Sequence, residues 1–227
     1  MVPRKQGRAL RGSQRWLQVL VNEHQHLISR GVAGSLELGE GQGVHWLSPV
    51  KEDDYAEYRD QDFLDRLGVS LPKVTLQSFW PRLGPVWDGL AKTDRGDVIL
   101  VEAKSHITEL VSDPTRAGPR SLARIRESLQ AARRFYGSRS GPDWATCFYQ
   151  YTNRLAHLCL LRELNGLPAY LLRLYFLNDE EMGGPATQLQ WEGAIELLEA
   201  FLRIRHEKLH GVLTVFIDVK EMQPLVA

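Results

Sequence analysis

Cysteine is scarce: Cys147 and Cys159 are the only two in 227 residues, and no Cys-x-x-Cys pair occurs. A disulfide framework and a thiolate zinc site are thereby excluded, and a reducing compartment, the cytoplasm, is expected. Long apolar runs are missing as well. A membrane span needs roughly 18 consecutive apolar residues, and even Leu171 to Leu177 is interrupted by Arg173. No membrane partner is expected, and the opening residues Met1 to Arg8 lack the apolar segment of a secretory signal. Net charge is absent, with 28 Lys plus Arg against 28 Asp plus Glu. An anionic partner must therefore meet a local patch, because bulk electrostatics supplies no attraction. The chain contains no Gly-x-Ser-x-Gly and no glycine-rich loop followed by Lys-Ser/Thr. Nucleophile-elbow hydrolases and phosphate-loop nucleotide enzymes rank low on that ground.

What is present is an ordinary globular balance, 43% apolar and 25% charged, which argues for one domain over residues 1–227. Charge is distributed in blocks. Residues 1–30 set Arg4, Lys5, Arg8, Arg11, Arg15 and Arg30 against Glu23 alone, residues 116–139 set seven arginines against Glu127, and residues 51–66 are acidic. Apolar periodicity predicts helices over 13–30, 52–67, 121–136, 143–165 and 191–205, with Ser13 and Asp143 as caps and His24 as a partnered core histidine. It predicts strands over 74–80, 86–92, 97–105, 169–177 and 212–219, the first three as an antiparallel meander. Helices and strands alternate, so the expected fold is α/β, a single domain built on one mixed sheet.

The informative segment runs from Val86 to Ser105, because its strands carry charges in apolar surroundings. Val98, Leu100, Glu102 and Lys104 share one face of a strand whose other face is Ile99, Val101 and Ala103. Buried there, a glutamate and a lysine are costly unless paired with each other, a metal or a ligand. Asp94-Arg95-Gly96 suits a three-residue hairpin loop with glycine in the left-handed conformation, which sets Thr93 opposite Asp97. Continuing that register places Asp88 opposite Glu102 on the same face. Opposed side chains start about 5 Å apart, where like charges are destabilising. A divalent cation removes the conflict, and two carboxylates with room for waters suit Mg²⁺ or Mn²⁺. A two- or four-residue loop would instead turn Asp88 to the other face.

Asp88, followed by Glu102-Ala103-Lys104 and preceded by an acidic helix, resembles the PD-(D/E)xK, restriction-endonuclease-like nuclease superfamily, with Trp87 where the name has Pro. The resemblance covers residues 52–177 and implies an αβββαβ core, leaving 1–50 as a basic arm and helix and 178–227 as a C-terminal helix and strand extension. It implies a metal bound by Asp88 and Glu102 with the carbonyl of Ala103, and Lys104 as the catalytic lysine. It also implies an acid from the first core helix, for which Glu57 is the choice and Asp60 the substitute. The implied partner is nucleic acid, with DNA the first choice, and the oligomeric state stays open between monomer and homodimer.

A second group lies on the 143–165 helix, where Gln150, Asn153, Arg154 and His157 share an arc opposite the apolar side. Gln150, Asn153 and Arg154 are the expected substrate contacts, and Arg120, Arg124, Arg133 and Arg134, with the N-terminal arm, the expected phosphate contacts. Three readings stand side by side: a metal-dependent nuclease, a non-catalytic nucleic-acid- or protein-binding module on the same fold, and a structural subunit in which Glu102 and Lys104 are only an ion pair.

Overall fold

The computed structural model describes residues 5–36, 38, 42–138 and 140–222; Arg4 and Arg139 of the basic blocks lie outside the described residues. Its centre is strand β3, Val98–Lys104, every residue of which is buried. The turn chemistry before it works as the sequence requires. Thr93 donates its amide to the carbonyl of Asp97 at 3.0 Å, and Gly96, at φ +85, donates to the carbonyl of Thr93 at 2.8 Å. Only glycine takes that left-handed position without strain. The hairpin pairs β2, Gly89–Thr93, with β3 in the register Gly89↔Val101 through Lys92↔Val98, the one that sets Asp88 opposite Glu102.

Strand β1, Val44–Ser48, lies antiparallel on the outer side of β2. On the other side of β3, β4 (Ala169–Leu177) and then β5 (Val212–Asp218) run parallel to it, so the chain is α/β with one five-stranded mixed sheet in sequential order. Two helices, α1 (Gly12–Glu23) and α2 (Gln25–Ser35), cover the face that carries Ile99, Val101 and Ala103. The opposite face, with Leu100 and Leu171, lies under α3 (Asp60–Leu67), α4 (Leu76–Phe79), α5 (Pro119–Phe135), α6 (Tyr149–Cys159) and α7 (Gln188–Phe201). Both faces being covered explains why β3 and β4 read as apolar runs rather than as alternating ones. Among the described residues, no helix is long and apolar enough to cross a membrane.

Several sequence expectations are corrected. Val74 to Trp80 is not a strand: Thr75 caps a short helix, its side chain accepting from the amide of Ser78 at 3.2 Å, and Leu76 and Phe79 turn into the core. The third strand of the meander is β1, within residues assigned to an N-terminal arm and helix. Residues 52–67 do not form one helix either. Asp54 and Tyr55 have positive φ, Tyr58 bridges to Trp87 in extended conformation, and only Asp60–Leu67 is α-helical. The helix over 13–30 breaks at His24, which is half-buried at the junction rather than in the core. The break lets α2 approach β5 so closely that a Cβ at Gly31 would come 3.0 Å from Val215. Asp143 does not cap α6. It caps a turn through the amide of Ala145 at 3.0 Å and pairs with Arg126 at 2.8 Å, and α6 begins six residues later at Tyr149.

Candidate functional site

Glu102, Arg173 and Thr214 form a polar row across one face of β3, β4 and β5, and Asp88, the residue before β2, continues the row where the β2–β3 register is carried one residue on. Burial makes each charge in that row costly, and each has a partner that offsets the cost. Asp88 is half-buried and accepts the amide of Ala103 at 2.9 Å. Glu102 is gripped from both sides: Lys104 Nζ lies 2.6 Å from Oε1 and Arg154 Nε 2.5 Å from Oε2. Lys104 Nζ also donates to Gln150 Oε1 at 3.0 Å. Arg154 reaches the carbonyl of Val86 at 2.7 Å and lies 4.7 Å from the centre of the Trp87 ring. Beside them Arg173 donates to Glu199 at 2.7 Å, to the Tyr151 hydroxyl at 2.8 Å and to Thr214.

The electrostatics follow from this packing. Burial and the facing Glu102 carboxylate push the Asp88 carboxyl up to about 7, against the pull of Lys104, Arg154 and the Ala103 amide. Burial works against the charge of Glu102 too, but Arg154 and Lys104 outweigh it and hold that carboxyl below its ordinary value. For Lys104, burial favours the neutral amine, and Glu102 and Asp88 reverse the balance so that the ammonium is retained above its ordinary value. The Glu102–Lys104 contact is an ion pair without hydrogen-bond geometry, so Oε1 is a buried acceptor with no hydrogen bond.

A cavity of about 20 Å³, lined by Glu102, Lys104, Glu109, Gln150, Arg154 and Arg173 among others, opens at this point. It holds about one water-sized occupant. Of the expected substrate contacts, Gln150 and Arg154 line it, whereas Asn153 is not part of its lining and instead receives Arg154 Nη1 at 3.2 Å. His157, on the same arc, lies among Trp80, Trp87, Phe63 and Phe79, and burial pushes its imidazole down to about 4.

Glu57 is not on a helix. Its segment pairs antiparallel through Tyr58↔Trp87, which makes Glu57 and Asp88 the next pair along, but its carboxylate receives Gln6 at 2.7 Å and Gln14 at 3.2 Å. The substitute, Asp60, is engaged by the amides of Gly84 at 2.8 Å and Leu83 at 3.2 Å. Among the described residues, no three His, Cys, Asp or Glu side chains converge to hold a metal ion. Of the arginines expected to meet phosphate, Arg133 is buried and donates to the carbonyl of Ser138 at 3.3 Å, and Arg124 donates to that of Gln77 at 2.9 Å, while Arg120 and Arg134 are exposed.

Sequence reasoning missed Glu109 and Arg173. Glu109 accepts the amide of Ser105 at 2.6 Å and the Ser13 hydroxyl at 2.8 Å, closing the end of β3 against α1. Its signal was a capping pattern, His106 to Glu109, too common to single out. Arg173 carried the same signal as Glu102, a charge inside an apolar strand. The chain matches no protein-family model, no curated protein and no solved structure.

Proposed function

We propose that this protein is a divalent-metal-dependent nuclease acting in the cytoplasm on nucleic acid. The observation that carries the reading is the opposition of Asp88 and Glu102 across β2 and β3, with Lys104 two residues on along the same face. Two carboxylates so placed conflict unless a cation lies between them, and after burial that conflict is the next cause of the raised affinity of Asp88 for its proton. The Glu102 oxygen that lacks a hydrogen bond is a further donor for such an ion. Mg²⁺ or Mn²⁺ suits this set, since such ions are held by one or two carboxylates and take their remaining oxygens from water and phosphate.

Asp88 and Glu102 would hold the ion, with the Ala103 carbonyl as a third donor and Glu57 alongside Asp88. When bound, the ion supplies an activated water and neutralises charge on the scissile phosphate. Lys104, released from Glu102, orients the attacking water and faces the growing negative charge. Gln150, which touches Lys104, keeps the ammonium directed into the cavity. Arg154, once free of Glu102, is placed to take a phosphate oxygen through its planar fork.

The test is cleavage of labelled single- and double-stranded DNA and RNA with Mg²⁺, Mn²⁺ or EDTA, comparing wild type with Lys104→Ala. EDTA-sensitive cutting that falls by about 100-fold or more in the variant is expected. Cutting retained by the variant overturns the role of Lys104, and no cutting of any substrate by wild type overturns the enzyme reading.

One observation favours a second reading, a non-catalytic binding module on the same fold: both Glu102 oxygens are engaged by cations of the chain itself. Salt-dependent affinity for nucleic acid, with no cleavage under any divalent ion, is its signature.

A further inference from the structure

Beyond the C-terminal end of α7 the chain carries three cations that none of the chemistry above uses. Arg203 follows the helix at φ +57, and a turn at His206–Lys208 leads on toward β5. Arg203, Arg205 and Lys208, with Gly137 and Ser140, line a concavity of about 620 Å³, and among the described residues no acidic side chain belongs to its wall. Glu207, between them in sequence, lies outside it. Among the described residues, none of the three makes an ion pair or a side-chain hydrogen bond. Their neighbours differ: Arg126 pairs with Asp143, Arg133 with the Ser138 carbonyl, and Arg173 with Glu199.

Backbone lies against two of these three exposed cations. A Cβ at Gly141, φ +120, would come 2.8 Å from Arg203 Cγ, and one at Gly137, φ +73, would come 3.6 Å from Lys208 Cγ, so both stems lie against glycine. The Ser138 hydroxyl donates to the Leu202 carbonyl at 2.8 Å and Trp144 Nε1 to the same oxygen at 3.4 Å, tying the α5–α6 connection to the end of α7. Three like charges around one concavity repel one another, and an anion with several oxygens relieves that repulsion. Arginine forks and a lysine point charge are the groups that recognise phosphate.

We propose that Arg203, Arg205 and Lys208 form a phosphate-binding site distinct from the Asp88–Glu102 centre. The phosphates belong either to a nucleic-acid strand or to a free polyphosphate, and only the strand source rests on the nuclease reading.

The experiment measures binding in EDTA, where no cleavage occurs, with labelled DNA and RNA oligonucleotides and with inorganic tripolyphosphate. It compares wild type, Arg203→Gln/Arg205→Gln/Lys208→Gln, and a charge-matched control, Lys51→Gln/Lys73→Gln/Lys220→Gln. The pocket variant is expected to bind about tenfold more weakly, with the slope of log affinity against log salt reduced by about 2 for a single strand, while the control binds as wild type. Loss for oligonucleotides identifies a strand, and loss for tripolyphosphate alone identifies a free ligand. Equal behaviour of wild type and pocket variant toward every probe, including no binding by either, overturns the site. Arg205→Gln alone, at an exposed position, carries the same comparison if the triple variant does not fold. Because cleavage and Lys104 play no part, failure here is distinct from failure of the nuclease assay.

Discussion

Asp88 stands where the β2–β3 register, continued one residue past Gly89↔Val101, meets Glu102, and after burial the Glu102 carboxylate is the next cause of the raised Asp88 pKa. With that group at about 7 in the folded protein against an ordinary 3.8, the native state keeps a proton that the unfolded chain has lost between those values. Stability therefore falls as pH rises through this window, and the loss is complete above about 7. Asp88→Asn is expected to remove this contribution, leaving the opposite dependence of buried His157, and to be more stable than wild type at pH 8 by on the order of 2 kcal/mol. Urea unfolding at pH 5 and pH 8 measures it, and an unchanged slope in the variant would assign the effect elsewhere.

Arg154 is the buried partner of Glu102, so its removal strands a carboxylate beside Lys104 alone. Arg154→Met is expected to cost about 3 kcal/mol, in the range for breaking a buried pair by one side. Glu102→Gln in the same chain should recover part of that cost, giving a coupling of about 1–3 kcal/mol. A double-mutant cycle by urea denaturation reads the coupling, and additive single effects would show that the two residues act independently.

Gly184 packs against the end of β3: a Cβ there would lie 2.3 Å from the carbonyl oxygen of Ser105. That contact is with backbone, so Gly184→Ala must shift the segment that follows Lys104. The expected cost is about 2 kcal/mol or more, measured as a lower midpoint in thermal or urea unfolding. A variant as stable as wild type would mean that the 178–185 loop moves freely away from β3.

Cys159, the last residue of α6, is buried in the core, and burial pushes its thiol up to about 12, whereas Cys147 is half-buried. In the native protein at pH 8, iodoacetamide is expected to label Cys147 at least about tenfold faster, because the thiolate is the reacting form. Peptide mapping after timed quenching distinguishes the two. Equal rates would show that α6 opens readily.

The hairpin around Asp94-Arg95-Gly96 was legible because its chemistry is local: loop length and the glycine conformation set the register, and the register sets Asp88 opposite Glu102. The faces of β3 were legible for the same reason, since the two-residue repeat of a strand needs no knowledge of its neighbours, and the extent of β4 was legible as an apolar run. Val74 to Trp80 misled because β-branched and aromatic residues favour a strand, and the local cap from Thr75 together with burial of Leu76 and Phe79 outweighed that preference. Strand β1 was overlooked because only five residues alternate there, too few to stand out before a partner strand is known.

By itself, then, the sequence determined an α/β chain with a charged pair inside a buried strand and a hairpin that brings a second carboxylate across from it. Tertiary structure decided what surrounds those charges. Arg154 is 52 residues from Glu102 and Arg173 is 26 from Glu199, and no local spacing rule pairs them. They meet because α6 and α7 pack onto the sheet face that carries the polar row, and burial leaves each charge there little choice but to find an opposite one. Contacts distant in sequence also engage Glu57 with Gln6 and Gln14 and gather Arg203, Arg205 and Lys208 around one concavity.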